Sequence, residues 1–299
     1  MPNIKKVIDK IRWHSLMKKN LGAFMRYRNE LEKLLKDEKN IVNRMYLNEI
    51  AIQLKKLEAV IAKPIDEDGY FDTLATMLNN FTKQFENPKY QYNKTTKNGF
   101  NPDSQIMSSI YLDDLIDVFM NDQPILKSKG MKWDNQPFSM NLNFNPHNLE
   151  DSKQDLTFDS KLSPTLLQLT QKIDLQFRVV GKRVFQRAEV ILPIIIFQTC
   201  KNFTEEDFLR INYYSGQAKK SLKKSRTIIV CETIDKEVTS EIKGSYIDSL
   251  FVLRKQVSNR SLKEISSSIL KDLYSRVNDY LYEDDCEVEK IIEKGYIIS

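Results

Sequence analysis

The chain has 299 residues and carries 46 Lys and Arg against 41 Asp and Glu, a formal net charge of +5. Its hydrophobic content of 41% and aromatic content of 10% provide for a buried core and exclude a disordered chain. Three cysteines, Cys200, Cys231 and Cys286, form no Cys-x-x-Cys pair, which excludes a disulfide framework and a cysteine zinc site and suits a reducing cytoplasm.

The longest apolar run, Val190 to Phe197, is interrupted by Pro193 and falls far short of the ~18 residues of a membrane helix. The N-terminus lacks a signal-peptide apolar region, so a cytoplasmic, membrane-free protein is expected. None of the eight glycines lies in a phosphate-cradling motif, which argues against nucleotide-driven chemistry. The charge is segregated. Residues 1–64 hold 15 basic and 7 acidic side chains, a local charge of +8, and Lys219, Lys220, Lys223, Lys224 and Arg226 form a second basic cluster. Such patches either solvate helix faces or meet a phosphate backbone.

In chain order, residues 3–62 read as continuous helix, with Leu31, Leu34, Leu35, Ile50, Ile52, Leu54, Leu57 and Ile61 near a three-to-four spacing. A break at Pro64 to Gly69 is followed by a helix from Tyr70 to about Phe85, a loop over 87–103, and an amphipathic helix from Ile106 to Met120. Phe138 to Phe144 alternates apolar and polar residues and predicts a strand, while Asp151 to Pro164 reads as a connector. Strands are expected over Asp174–Val180 and Val184–Cys200. A helix should open at Thr204-Glu-Glu-Asp207, which has capping-box form. Strands at Thr227–Glu232 and Ile247–Leu253 precede a closing helix from Leu262 to Tyr282. The order predicts an α/β (α+β) chain: a helical, basic region over 1–130, then a mixed β-sheet core flanked by helices over 131–299.

The sharpest local feature is the apolar strand ending in Thr199-Cys200-Lys201 just before the capped helix. A lysine at a core-strand end is either a snorkelling side chain or part of a metal-dependent hydrolytic site, where an (Asp/Glu)-x-Lys spacing puts carboxylate and ammonium on one strand face. Asp174 lies 25 residues before Thr199, a separation that lets neighbouring strands bring the two together. Cys200 reads as packed, because neither His14 nor His147 has a context tying it to the thiol. His147, in Asn-Pro-His-Asn, either fixes its loop or touches DNA.

Phe144-Asn-Pro-His-Asn-Leu-Glu150, then Pro193-Ile-Ile-Ile with Cys200-Lys201, Ala218 to Lys223, Ile228 to Glu232, and Ile247 to Arg254 with Asn259-Arg260 occur in an order that resembles the BbvCI-like or Bpu-ten-I family of type II restriction endonucleases. The resemblance covers roughly residues 135–262 and implies the PD-(D/E)xK nuclease fold, Mg²⁺ as cofactor, and double-stranded DNA as partner. It also implies assembly with a second similar subunit or with itself. Carried over, it makes Lys201 the motif lysine and puts Thr199 where the family has glutamate. Glu232 becomes the substitute acid, and Asp174 the first metal ligand, with Asp159 as fallback. The candidate DNA-contacting residues are Lys219, Lys220, Lys223 and Lys224 from their clustered charge and His147 from its loop, with Arg254, Asn259 and Arg260 added by the resemblance.

Three readings follow: a DNA-hydrolysing endonuclease subunit, a DNA-binding subunit whose partner supplies the cut, or a helical interaction protein with no sheet between 173 and 254.

Overall fold

The computed structural model describes residues 24–37, 39, 41–86, 105–123, 126, 131–134, 138–145, 155–161, 166–178, 185–256 and 262–293. The chain forms two compact units. One comprises Met1–Asp122 with Leu253–Tyr274, the other Gln123–Val252 with Ser275–Ser299. The first unit's leading part ends at Asp122, and the chain returns to that unit over residues 253–274.

The first unit is built on α1 (Met25–Asp37), α2 (Ile41–Ile61), α3 (Tyr70–Glu86) and α4 (Gln105–Asn121). The continuous helix expected up to residue 62 is divided, α1 ending at Asp37 and α2 restarting at Ile41. The three-to-four spacing of apolar side chains buries Tyr27, Leu31, Leu47, Ile50, Leu54, Leu57, Leu74, Leu78, Phe81, Leu115 and Phe119. The Tyr27, Phe81 and Tyr111 rings meet edge to face, at centroid distances of 5.0 and 6.0 Å.

The second unit carries a five-stranded sheet in the order β1-β4-β5-β6-β7: β1 (Lys132–Asp134), β4 (Leu166–Arg178), β5 (Phe185–Phe203), β6 (Arg226–Ile234) and β7 (Ser249–Val252). The β1–β4 and β4–β5 pairs are antiparallel, and the β5–β6 and β6–β7 pairs parallel. A separate antiparallel pair joins β2 (Phe138–Asn145) to β3 (Asp155–Lys161), so the stretch read as a connector contains a strand.

Helix α5 (Glu205–Ser221) makes the crossover from β5 to β6. Its capping box is formed: the Asp207 N–H donates to Thr204 Oγ1 at 3.3 Å, and the Thr204 N–H to Asp207 Oδ2 at 3.4 Å. Phe208, Ile211 and Ala218 of this helix pack with Ile196, Ile229 and Cys231 of the sheet. The short α6 (Val238–Glu241) follows β6.

In the first unit, β8 (Arg254–Gln256) pairs antiparallel with β9 (Leu262–Ile265). The last helix, α7, runs Ser267–Glu293 rather than from Leu262. The displaced start has a physical cause, because the Asn79 amide both donates to the Ile265 carbonyl (3.1 Å) and accepts from its N–H (2.7 Å), holding 262–265 extended. The sheet across 166–252 excludes the reading of a sheet-free helical protein.

Candidate functional site at the end of the central strands

The site begins with two parallel neighbours. The register pairs Cys200 with Cys231 and Asn202 with Thr233, so Lys201 lies abreast of Glu232, and Thr199 is paired with Val230. Because side chains alternate along a strand and paired positions share a face, Thr199, Lys201, Val230 and Glu232 form one row. Thr199 is buried and Glu232 is 3% exposed, whereas Lys201 is half-buried. Thr233 anchors this end by donating to the Lys201 carbonyl at 3.3 Å and to Asn202 Oδ1 at 2.8 Å. Glu232 is therefore brought to Lys201 as the sequence predicts.

Cys200 belongs to the opposite face, against α5. A hydrogen bond with Cys231, followed by burial, raises its thiol far above the usual range, so it is held as a packed thiol and not as a nucleophile. Gln198 also lies in that alternate row, donating Nε2 to the Thr199 carbonyl at 2.8 Å.

Asp174 is not brought to this end. The β4–β5 hairpin pairs it with Glu189, ten residues before Thr199, a distance of about 33 Å along the strand. The partners nearest the site are Leu166, opposite Gln198, and Leu167, opposite Phe197. The 25-residue separation fails as a guide because the hairpin connection lies between Arg178 and Phe185, which forces residues near 166 to meet residues near 198. No Asp or Glu occurs anywhere from 160 to 173. Asp159, the fallback, is on β3 and pairs with Asn141 in the separate two-stranded sheet.

Magnesium asks for six oxygens in near-octahedral array, usually with one or two carboxylates among them. At the Lys201 end, β5 offers the neutral Thr199 hydroxyl, β6 offers Glu232, and the adjoining half of β4 offers no acid. Among the described residues no group of three His, Cys, Asp or Glu side chains is placed to hold a metal. The donor set does not fit Mg²⁺, and no chemical step is routed through the ion in this chain.

The predicted DNA-contacting residues separate into three groups. His147, Asn259 and Arg260 lie outside the described residues. Arg254 is only 3% exposed and donates to Thr82 Oγ1 at 2.7 Å, which makes it a buried strut of the first unit and not a reader of base edges.

The lysine cluster lies where α5 ends and β6 begins. Arg226 opens β6 and Glu232 is six residues further on, about 20 Å along the strand. Lys219 bonds Asp248 Oδ1 at 2.9 Å, and the same carboxylate meets Arg226 at 3.4 Å and accepts from the Thr227 N–H at 2.8 Å. Lys220, Lys223 and Lys224 are exposed. Sequence reasoning missed Arg276 and Tyr280: the Arg226 and Arg276 guanidiniums lie 5.3 and 5.8 Å from the Tyr280 ring centroid, and the Tyr280 hydroxyl is 2.8 Å from Ser249 Oγ. Only a helical i, i+4 spacing of Arg276 and Tyr280 was available to signal them.

No family model and no curated protein sequence matches the chain. A structural match does. A solved structure described as the native BbvCI A2B2 tetramer at low resolution superimposes with a TM-score of 0.56 at 13% sequence identity, covering 92% of this chain and 98% of that one. The chain shares the BbvCI fold. Like that fold, the chain sets a helical N-terminal part ahead of a mixed sheet. Among the described residues no helix is long and apolar enough to cross a membrane.

Proposed function

We propose that the chain is a subunit of a type II restriction-endonuclease-type nuclease that acts on double-stranded DNA in the cytoplasm together with a second similar subunit. The observation that carries this reading is the fold shared with BbvCI, and the row of Lys201 and Glu232 at the end of its parallel central strands, with threonine at 199, supports a subunit that binds without completing the cut. The oligomeric state of that neighbour, described as A2B2, supports a multi-subunit arrangement. Exposed Lys220, Lys223 and Lys224, with Arg276 on α7, supply positive charge for phosphates.

Mg²⁺ belongs in this proposal as the cofactor of the assembled enzyme. The reading in which Asp174 and Glu232 of this chain together hold it is disfavoured by the strand register. The chain contributes DNA binding, and the second subunit contributes the charged ligands.

The test is supercoiled plasmid with Mg²⁺, incubated with the purified chain, with a co-encoded similar subunit, and with both. The expected result is cleavage at a defined site that requires both proteins and survives Lys201→Ala in this chain. Cleavage by this chain alone, abolished by Lys201→Ala, would make it a complete endonuclease. No cleavage and no duplex binding in any mixture would remove the nuclease reading.

A further inference from the structure

We propose that position 199 is a vacated cation-ligand position beside a surviving Glu232, so that this chain holds no divalent cation at the Lys201 end of its sheet. The inference rests on the nuclease-subunit reading and deepens it by stating which position has lost the chemistry. Thr199 shares its row with Lys201, and the parallel register sets Glu232 next to Lys201. Position 167, which pairs with Phe197, is level with a point four residues short of Lys201, about 13 Å along the strand, so β4 supplies no ligand there. Two strands thus meet with one carboxylate where a hard cation would need a set of charged oxygens. Asp174 cannot complete the set, because it is paired with Glu189, about 33 Å from Thr199 along the strand.

One carboxylate in a row that also carries a lysine offers a dication little electrostatic gain for the cost of stripping its water. The same geometry shows how the site could be rebuilt. Glutamate at 199 puts a second carboxylate in the row of Glu232.

The experiment is Mn²⁺ uptake by the full chain, read from loss of the free-ion electron paramagnetic resonance signal. It compares the wild type and Thr199→Glu, each with and without Glu232→Gln. The wild type should take up no Mn²⁺ that depends on Glu232. Thr199→Glu should bind one Mn²⁺ per chain at least about tenfold more tightly than the wild type, and Glu232→Gln should abolish the gain. Far-UV circular dichroism identifies folded variants. Thr199→Asp replaces Thr199→Glu if the longer side chain prevents folding.

Stoichiometric uptake by the wild type, lost in Glu232→Gln, would overturn the proposal, as would a folded Thr199 variant whose uptake equals that of the wild type. Duplex binding in EDTA, measured on the same preparations, separates the two readings: its absence refutes the DNA-acting subunit, whereas the Mn²⁺ result alone decides the vacated site.

Discussion

Two buried charged side chains set expectations at the scale of single residues. Asp114 on α4 is 1% exposed and accepts from the Tyr27 N–H at 2.9 Å. Burial pushes its carboxyl up to about 7, with the Tyr27 hydrogen bond and Arg26 opposing and Asp117 and Asp113 reinforcing the rise. An unfolded aspartate titrates near 3.9. Between the two values the folded chain retains a proton that the unfolded chain has released, so stability is highest below about pH 4 and falls through about pH 7. The loss amounts to on the order of 4 kcal/mol.

Asp114→Asn keeps an acceptor for Tyr27 and removes the charge. It should melt higher than the wild type at pH 8 and close to it at pH 4.5 in thermal unfolding. A wild-type stability that is unchanged from pH 5 to pH 8 would contradict this account. Arg254 gives the second expectation. Arg254→Ala removes the buried donor to Thr82 Oγ1, which keeps only its own bond to the Asn79 carbonyl, and empties a buried volume, so it should cost about 3 kcal/mol in denaturant unfolding. If it leaves stability intact and changes only sequence preference on DNA, Arg254 is a base reader after all.

At the scale of elements, the contacts that matter are those holding segments in a conformation their own sequence does not demand. The stretch Leu262-Lys-Glu-Ile265 reads as the first turn of a helix, yet it is extended because Arg254 pairs with Ile265 and Asn79 grips both backbone groups of Ile265. Asn79→Ala should cost about 2 kcal/mol, from two buried hydrogen bonds left unmade, and should speed amide exchange at Ile265. Thr204→Ala removes the reciprocal cap of α5 and should cost about 1 kcal/mol in the same unfolding measurement.

Local signals explain what was legible. The cap at Thr204, the alternation at 138–144 and the helical periods at 70–85 and 106–120 are each encoded within a few residues, and the corresponding elements form. The row of Lys201 and Glu232 was legible too, since two parallel strands joined by one helix bring their ends together. The failures are non-local. The position of Asp174 depends on where the β4–β5 connection lies, and a shift of that connection by a few residues would have changed every pairing. Arg254 owes its burial to Thr82, 172 residues earlier in the chain. Its charged type alone points to the surface.

For the whole molecule, the net charge of +5 understates the electrostatic field available to a polyanion. Asp248 offsets part of the charge of Lys219 and Arg226, leaving Lys220, Lys223 and Lys224 exposed nearby. Phosphate contacts made this way release counterions, each contact contributing a slope of about −0.9 to log K against log salt on duplex DNA. The double variant Lys220→Glu, Lys223→Glu should therefore reduce the salt slope by about two units without altering thermal stability. The sheet end bearing Thr199, Lys201 and Glu232 has no part in that electrostatic term, because it lies at the far end of β6.

The most direct test of DNA binding without a metal of its own is fluorescence anisotropy of a labelled duplex titrated with the purified full chain. It is run in EDTA across a series of KCl concentrations. The account predicts binding that needs no divalent cation and weakens steeply as salt rises. Failure to bind at low salt, or binding that appears only when Mg²⁺ is added, would contradict it.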